Sequence, residues 1–167
     1  MEAGFSLGSN LGDRLAHLAA ARDQLAALPE ARLVAQSPAY ETEPVGVTPE
    51  HRHLLFLNAV VVLESPRDAR AWLAAIRRIE HDLGRRRSAN RNAPRPIDID
   101  LLYAGAEAIE DGALVVPHPR WAQRRFVVQP LADVRPDLVL PGRRRTVAAV
   151  LRALPAAEAV ALYARAW

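Results

Sequence analysis

Glu2 to Leu7 alternates weakly between apolar and small or polar residues and runs into Gly8-Ser9-Asn10, the pattern of a strand entering a turn. The period then changes. Leu11, Leu15, Leu18, Ala21 and Leu25 recur every three or four residues, which predicts a helix over 11–28 that Pro29 stops. Ala31 to Tyr40 reads as a second strand, and Glu41 to His53, with two Pro, one Gly and no period, as a long loop. Leu54 to Leu63, rich in Val and Leu, predicts a further strand. Ser65-Pro66 offers a cap and a first helical proline for a helix running to about Leu83, with Ala69, Trp72, Leu73, Ile76 and Ile79 as its buried stripe and Gly84 at its end. Arg85 to Pro96 is polar and irregular, and Ile97 to Tyr103 predicts another strand. Beyond Val116-Pro117-His118-Pro119 a helix is expected over Trp121 to Leu131, and short Ala-rich helices after Thr146.

The order strand, helix, strand, strand, helix, strand, helices predicts an α+β fold of the ferredoxin-like, split βαβ kind, with an antiparallel sheet, flanking helices and long mobile loops. No repeat and no linker interrupts the pattern, so residues 1–167 are expected to form a single domain. That architecture hosts many functions and decides none of them.

Composition narrows the chemistry. All 22 basic residues are Arg, there is no Cys, and 19 acidic residues leave a formal charge of +3. A Walker-type loop with its Lys, a Schiff-base lysine, a cysteine nucleophile and a thiolate zinc site are therefore excluded. The N-terminus lacks a basic segment leading into an apolar one, and the longest aliphatic run, Ala59 to Leu63, is too short to span a bilayer. A cytoplasmic protein with no membrane partner is the expectation. The net charge is too small to indicate a nucleic-acid binder, but it is unevenly spread. Gly84 to Ile97 holds five Arg and no acid, while the other 17 Arg face all 19 acids, so the rest of the chain is slightly acidic.

That Arg-rich segment feeds Ile97-Asp98-Ile99-Asp100-Leu101-Leu102. On a strand the two Asp share one face, roughly 6.5–7 Å apart along the chain, while Ile97, Ile99 and Leu101 turn to the core. Paired carboxylates at this separation suit Mg²⁺, which fills its remaining positions with water and phosphate oxygens. No His or Cys lies nearby to favour zinc. Guanidinium forks match phosphate oxygens, so an Arg loop beside paired Asp fits a metal–nucleotide site. The same residues also fit a solvated acidic strand after a solvated loop.

The stretch Arg91 to Leu102 resembles the signature of the 6-hydroxymethyl-7,8-dihydropterin pyrophosphokinase family. Further blocks similar to that family follow in order: Gly8 to Gly12, Tyr40 to Gly46, Phe56 to Ala59, Arg78 to Glu80, and Val116-Pro117-His118 with Arg124 and Phe126. The resemblance implies a diphosphotransferase of folate biosynthesis, in which the pterin's hydroxymethyl oxygen attacks the β-phosphorus of ATP and AMP leaves. By similarity, Asp98 and Asp100 would hold two Mg²⁺ ions, with Asp98 also catalytic, and Arg85 and Arg95 would stabilise the transferring group. Leu73, Glu80, Arg87, Arg95, Leu101, His118 and Arg124 would contact ATP. Thr42, Val45, Phe56, Asn58 and Phe126 would bind the pterin, the two Phe rings stacking on it. No obligatory protein partner is implied. Asn92 and Phe56 depart from the family, standing where Trp and Tyr are common. The competing expectation is a ferredoxin-like RNA-binding or regulatory module without catalysis, although no aromatic RNA-stacking motif is present on the central strands.

Overall fold

The computed structural model describes residues 1–156 and 158–167. In chain order the elements are β1 (Glu2–Ser9), α1 (Arg14–Ala26), β2 (Arg32–Gln36), β3 (Ala39–Thr42), β4 (Phe56–Glu64), α2 (Ala69–Asp82), β5 (Asp98–Ala104), the hairpin β6 (Ile109–Asp111) and β7 (Leu114–Val116), α3 (Arg125–Val134), α4 (Val147–Ala153) and β8 (Val160–Ala164). The main sheet is antiparallel and runs β5-β1-β4-β3-β8, with β2 also on β4. β4 thus lies between β1 and the β2–β3 strand that follows α1, as a split βαβ unit requires.

Each local departure from the sequence expectation has a cause. The first helix starts at Arg14 because Asp13 caps it, accepting from the Ala16 amide at 3.1 Å. The second starts at Ala69 for the same reason: Asp68 accepts from Ala71 at 2.8 Å, while Ser65 turns its hydroxyl to the Arg67 amide instead. The strand expected over 31–40 is two strands. Pro38 has no amide to offer β4, and Ser37 fills the break by accepting from the Val60 amide through its hydroxyl. The tail after Thr146 is one helix and a strand, since Pro155 closes the helical stretch and the free edge of β3 receives Val160–Ala164. The β6–β7 hairpin was not expected.

One face of the sheet buries Phe5, Leu7, Leu57, Ala59, Ile99 and Leu101 against Leu18 and Leu25 of α1 and Trp72, Ile76 and Ile79 of α2. Phe5 meets Trp72 edge to face at 4.7 Å. The opposite face is covered over only part of its length. Val60, Val62, Leu102 and Tyr103 are packed under Trp121, Val127, Val128 and Leu131. Further along, Ser6 pairs with Asp100, and Gly8 lies between Asn58 and Asp98, and these residues face a cavity rather than that packed layer. That uncovered stretch is where the cavity opens.

A clasp holds α3 to the sheet. Glu2 accepts from the Tyr103 hydroxyl at 2.6 Å and from two Arg135 nitrogens at 2.8 and 3.1 Å. Burial works to raise the Glu2 pKa, but the Arg135 and Tyr103 hydrogen bonds outweigh it and hold the carboxyl below its ordinary value. Arg135→Ala is expected to cost about 1–2 kcal/mol, read as a melting point lower by roughly 3–6 °C at pH 7. A depressed carboxyl contributes above its unfolded value of 4.5 and loses that contribution as pH falls through the folded one. The gap between variant and wild type should therefore narrow in acid melts.

Candidate active site

A cavity of about 340 Å³ is floored by the uncovered ends of β1, β4 and β5 and walled by the loops that follow β3, precede β5 and precede α3. Thr42, Val45, Phe56, Asn58, Arg95, Asp98, Asp100, Arg124 and Phe126, all expected from the sequence, line it. Alternation along β5 produces this: Ile97, Ile99 and Leu101 are buried, while Asp98 and Asp100 reach the opening. Gly8 lies beneath them. A Cβ there would sit 3.2 Å from the Asn58 Oδ1 and 4.0 Å from the Asp98 Cβ, so glycine keeps the floor low.

The Asp pair sits among arginines. Arg85 donates to Glu80 at 2.5 Å and also to Asp98, while Arg95 donates to the other Asp98 oxygen at 3.2 Å. Burial opposes charge on the Arg85 guanidinium, but Asp98 and Glu80 outweigh it and hold its pKa above the ordinary value. Glu80 is buried, which raises its pKa. It is held by the Ile99 amide at 2.8 Å as well as by Arg85. The Asp100 carboxylate accepts no hydrogen bond among the described residues. Burial first, then the neighbouring Asp98 charge, push its carboxyl up to about 7. Two neighbouring carboxylates, one of them without a partner among the described residues, are suited to a cation between them. Among the described residues no three acidic or His groups cluster, so a hard cation here would complete its shell with water or with oxygens from a ligand.

His118 does not line the cavity but lies next to Asp100. Its Nδ1 accepts from the Arg120 amide at 3.1 Å, which leaves Nε2 to face Asp100 at 4.0 Å. Burial, with Arg124 and Arg120 nearby, lowers its pKa to about 4, so the ring is neutral at pH 7. Arg95 lies over Phe56, 5.3 Å from the ring centroid, and Arg124 lies over Phe126 at 5.6 Å. Among the described residues the buried Arg95 Nε has no hydrogen-bond partner. Asn58 donates to the Thr42 hydroxyl at 2.6 Å, fixing the edge of β3 beside the aromatic walls. Above them Asn92 donates to the Gly46 carbonyl at 2.8 Å, tying the Arg-rich loop to the loop after β3.

Glu80, Arg85 and Arg87 line an adjoining cavity of about 660 Å³ at the end of α2. Leu73 and Leu101 lie in the helix-side core and line neither opening. Ser6, Arg120, Gln123 and Glu158 line the main cavity without having been singled out in the sequence. Ser6 was within reach of a register argument, being two residues before Gly8 on one strand face. Glu158, which accepts from the Arg125 amide at the start of α3, gave no signal.

Carboxylates, guanidiniums and phenyl rings around one opening, on a ferredoxin-like sheet, outline a nucleotide-dependent transfer enzyme. The family model for 7,8-dihydro-6-hydroxymethylpterin-pyrophosphokinase matches residues 4–136, and the chain belongs to that family. A 2-amino-4-hydroxy-6-hydroxymethyldihydropteridine pyrophosphokinase of Methylorubrum extorquens is 45% identical over 137 residues, covering 81% of this chain and 84% of the relative. One of Pseudomonas aeruginosa is 40% identical over 139 residues, covering 83% of each. The fold is also similar to a solved Plasmodium falciparum HPPK-DHPS with pteroate, at a TM-score of 0.70 and 15% identity over 90% of this chain. This chain spans only 42% of that larger one. The chain is thus an enzyme of folate biosynthesis, a pyrophosphokinase that transfers diphosphate from ATP to the hydroxymethyl group of 6-hydroxymethyl-7,8-dihydropterin and releases AMP. The RNA-binding or regulatory alternative is not favoured by these matches. No helix among the described residues is long and apolar enough to cross a membrane.

Proposed function

We propose that the cavity under Asn92 and Gly46 binds pterin and triphosphate side by side, and that Asp98, Arg85 and Arg95 carry the transfer between them. The observation that carries this reading is the convergence of the Asp pair, Arg95 and both Phe rings on one opening. Phe56 and Phe126 take the pterin ring between them, and Thr42, Asn58 and the backbone at Val45 read its polar edge. Arg87, His118 and Arg124 contact the nucleotide, while Glu80 acts from beneath by holding Arg85, and Leu73 and Leu101, expected against the nucleotide, support the site from the helix-side core. The neutral His118 serves as a hydrogen-bonding group.

Asp98 and Asp100 fit Mg²⁺ by their chemistry, and two such ions, when bound, would neutralise triphosphate charge and polarise its bridging oxygens. The protein's part is mostly placement. The hydroxymethyl oxygen forms a bond to the β-phosphorus, and the bond from that phosphorus to the α-bridging oxygen breaks, so the electron pair leaves on AMP. Arg85 and Arg95 face the group in flight and stabilise charge that grows on its oxygens. The alcohol needs at most a weak base, and Asp98, held beside both arginines, takes its proton. Residues 1–167 form one pterin pyrophosphokinase domain in this reading, acting in the cytoplasm where ATP is supplied, without nucleic acid or an obligatory protein partner.

Incubation with ATP, Mg²⁺ and 6-hydroxymethyl-7,8-dihydropterin tests the assignment. AMP should appear only when the pterin is present, and Phe126→Ala should raise the pterin KM about tenfold or more. An unchanged pterin KM in that variant would remove Phe126 from the ring site.

A further inference from the structure

Arg95 stands between Pro94 and Pro96, so its amide is the one backbone donor across those three residues. The β1–β5 ladder ends one step earlier, at Gly8 and Asp98. Asn10 continues the hold by another route. Its side-chain Oδ1 accepts from the Arg95 amide at 2.9 Å, and its own amide donates to the Arg95 carbonyl at 3.3 Å. Asn10 is 4% exposed, in the turn between β1 and α1, so water does not compete at this contact.

The clamp fixes an arginine whose side chain is already committed in several directions. One Arg95 nitrogen donates to the carbonyls of Arg91 at 2.9 Å and Ala93 at 3.2 Å, and the other donates to Asp98. The guanidinium lies over Phe56, and the buried Nε has no hydrogen-bond partner among the described residues. A displacement of the Arg95 backbone would therefore move the guanidinium off Asp98 and off the ring together. From this we infer that Asn10 is a positioning residue for the transfer, setting Arg95 against Asp98 from the far end of β1 without itself touching substrate. The inference rests on the role proposed above for Arg95.

The test uses the full chain. Asn10→Ala should lower kcat about tenfold, leave the pterin KM within twofold, and speed amide exchange at Arg95 about tenfold while most other amides keep their rates. Asn10→Asp retains an acceptor and should restore both slow exchange and most of kcat. Asn10→Ser, polar but too short to reach, should repeat the alanine result if the alanine variant does not fold. In an Arg95→Ala background, Asn10→Ala should produce no further loss of kcat. Full additivity of the two losses, or unchanged kcat with fast Arg95 exchange, would overturn the positioning role. Undiminished kcat in Arg95→Ala alone would instead strike at the assignment of Arg95, which separates the two failures.

Discussion

Asp98→Ala and Asp100→Ala are each expected to lower kcat on the order of 10³-fold or more, yet to move stability in different directions. Asp98 joins Arg85 and Arg95, so its loss releases two guanidiniums from a common partner. About 1–2 kcal/mol should go with it. The Asp100 carboxylate accepts no hydrogen bond among the described residues, and its folded pKa of about 7 lies above its ordinary 3.8. A raised carboxyl costs stability when it is charged. The cost begins as pH rises past about 4 and is complete above about 7. Asp100→Asn should therefore melt higher than wild type at pH 8 without added metal, and the gain should vanish near pH 4. Because 37% of the Asp100 side chain is exposed, solvent screens the repulsion, and the gain is expected on the order of 1 kcal/mol. A lower melting point for Asp100→Asn at pH 8, with turnover retained, would make Asp100 a structural residue.

This asymmetry was beyond the sequence, although the pair itself was not. Strand alternation is a local rule, so Ile97 to Leu101 revealed which residues face the core and which face the opening. The five-Arg run was equally plain, because charge without acid nearby shows in any reading. What stayed hidden depends on register between distant strands. Asn10 and Arg95 are 85 residues apart, and only the antiparallel fit of β1 on β5 brings the turn after one against the proline pair before the other. Asn92 shows the same limit. As a residue type it reads as the loss of a large ring, while in the fold its amide reaches across to Gly46 and joins two loops. The break at Ser37-Pro38 was legible in hindsight from proline alone, whereas β8 needed the empty edge of β3 to be known first.

Arg85→Ala is expected to lose both turnover and stability, and the two losses can be separated. Arg85 bridges Glu80 and Asp98, and only 5% of the Glu80 side chain is exposed. Removing the guanidinium strands a buried carboxylate, at an expected cost of about 2–3 kcal/mol at pH 8. Burial already raises the Glu80 pKa, and without Arg85 it should rise further. At pH 5 Glu80 takes up a proton more readily in the variant, so the stability deficit should shrink there. Turnover should fall about 10²- to 10³-fold at either pH, since charge growing on the transferring group meets one guanidinium fewer. Glu80→Gln in the Arg85→Ala background keeps an amide oxygen for the Ile99 N–H but carries no charge to strand. The double variant should regain most of the melting temperature and none of the turnover. If turnover returned with stability, Arg85 would act only by holding Glu80 in place, and the task of stabilising the transferred group would fall to Arg95.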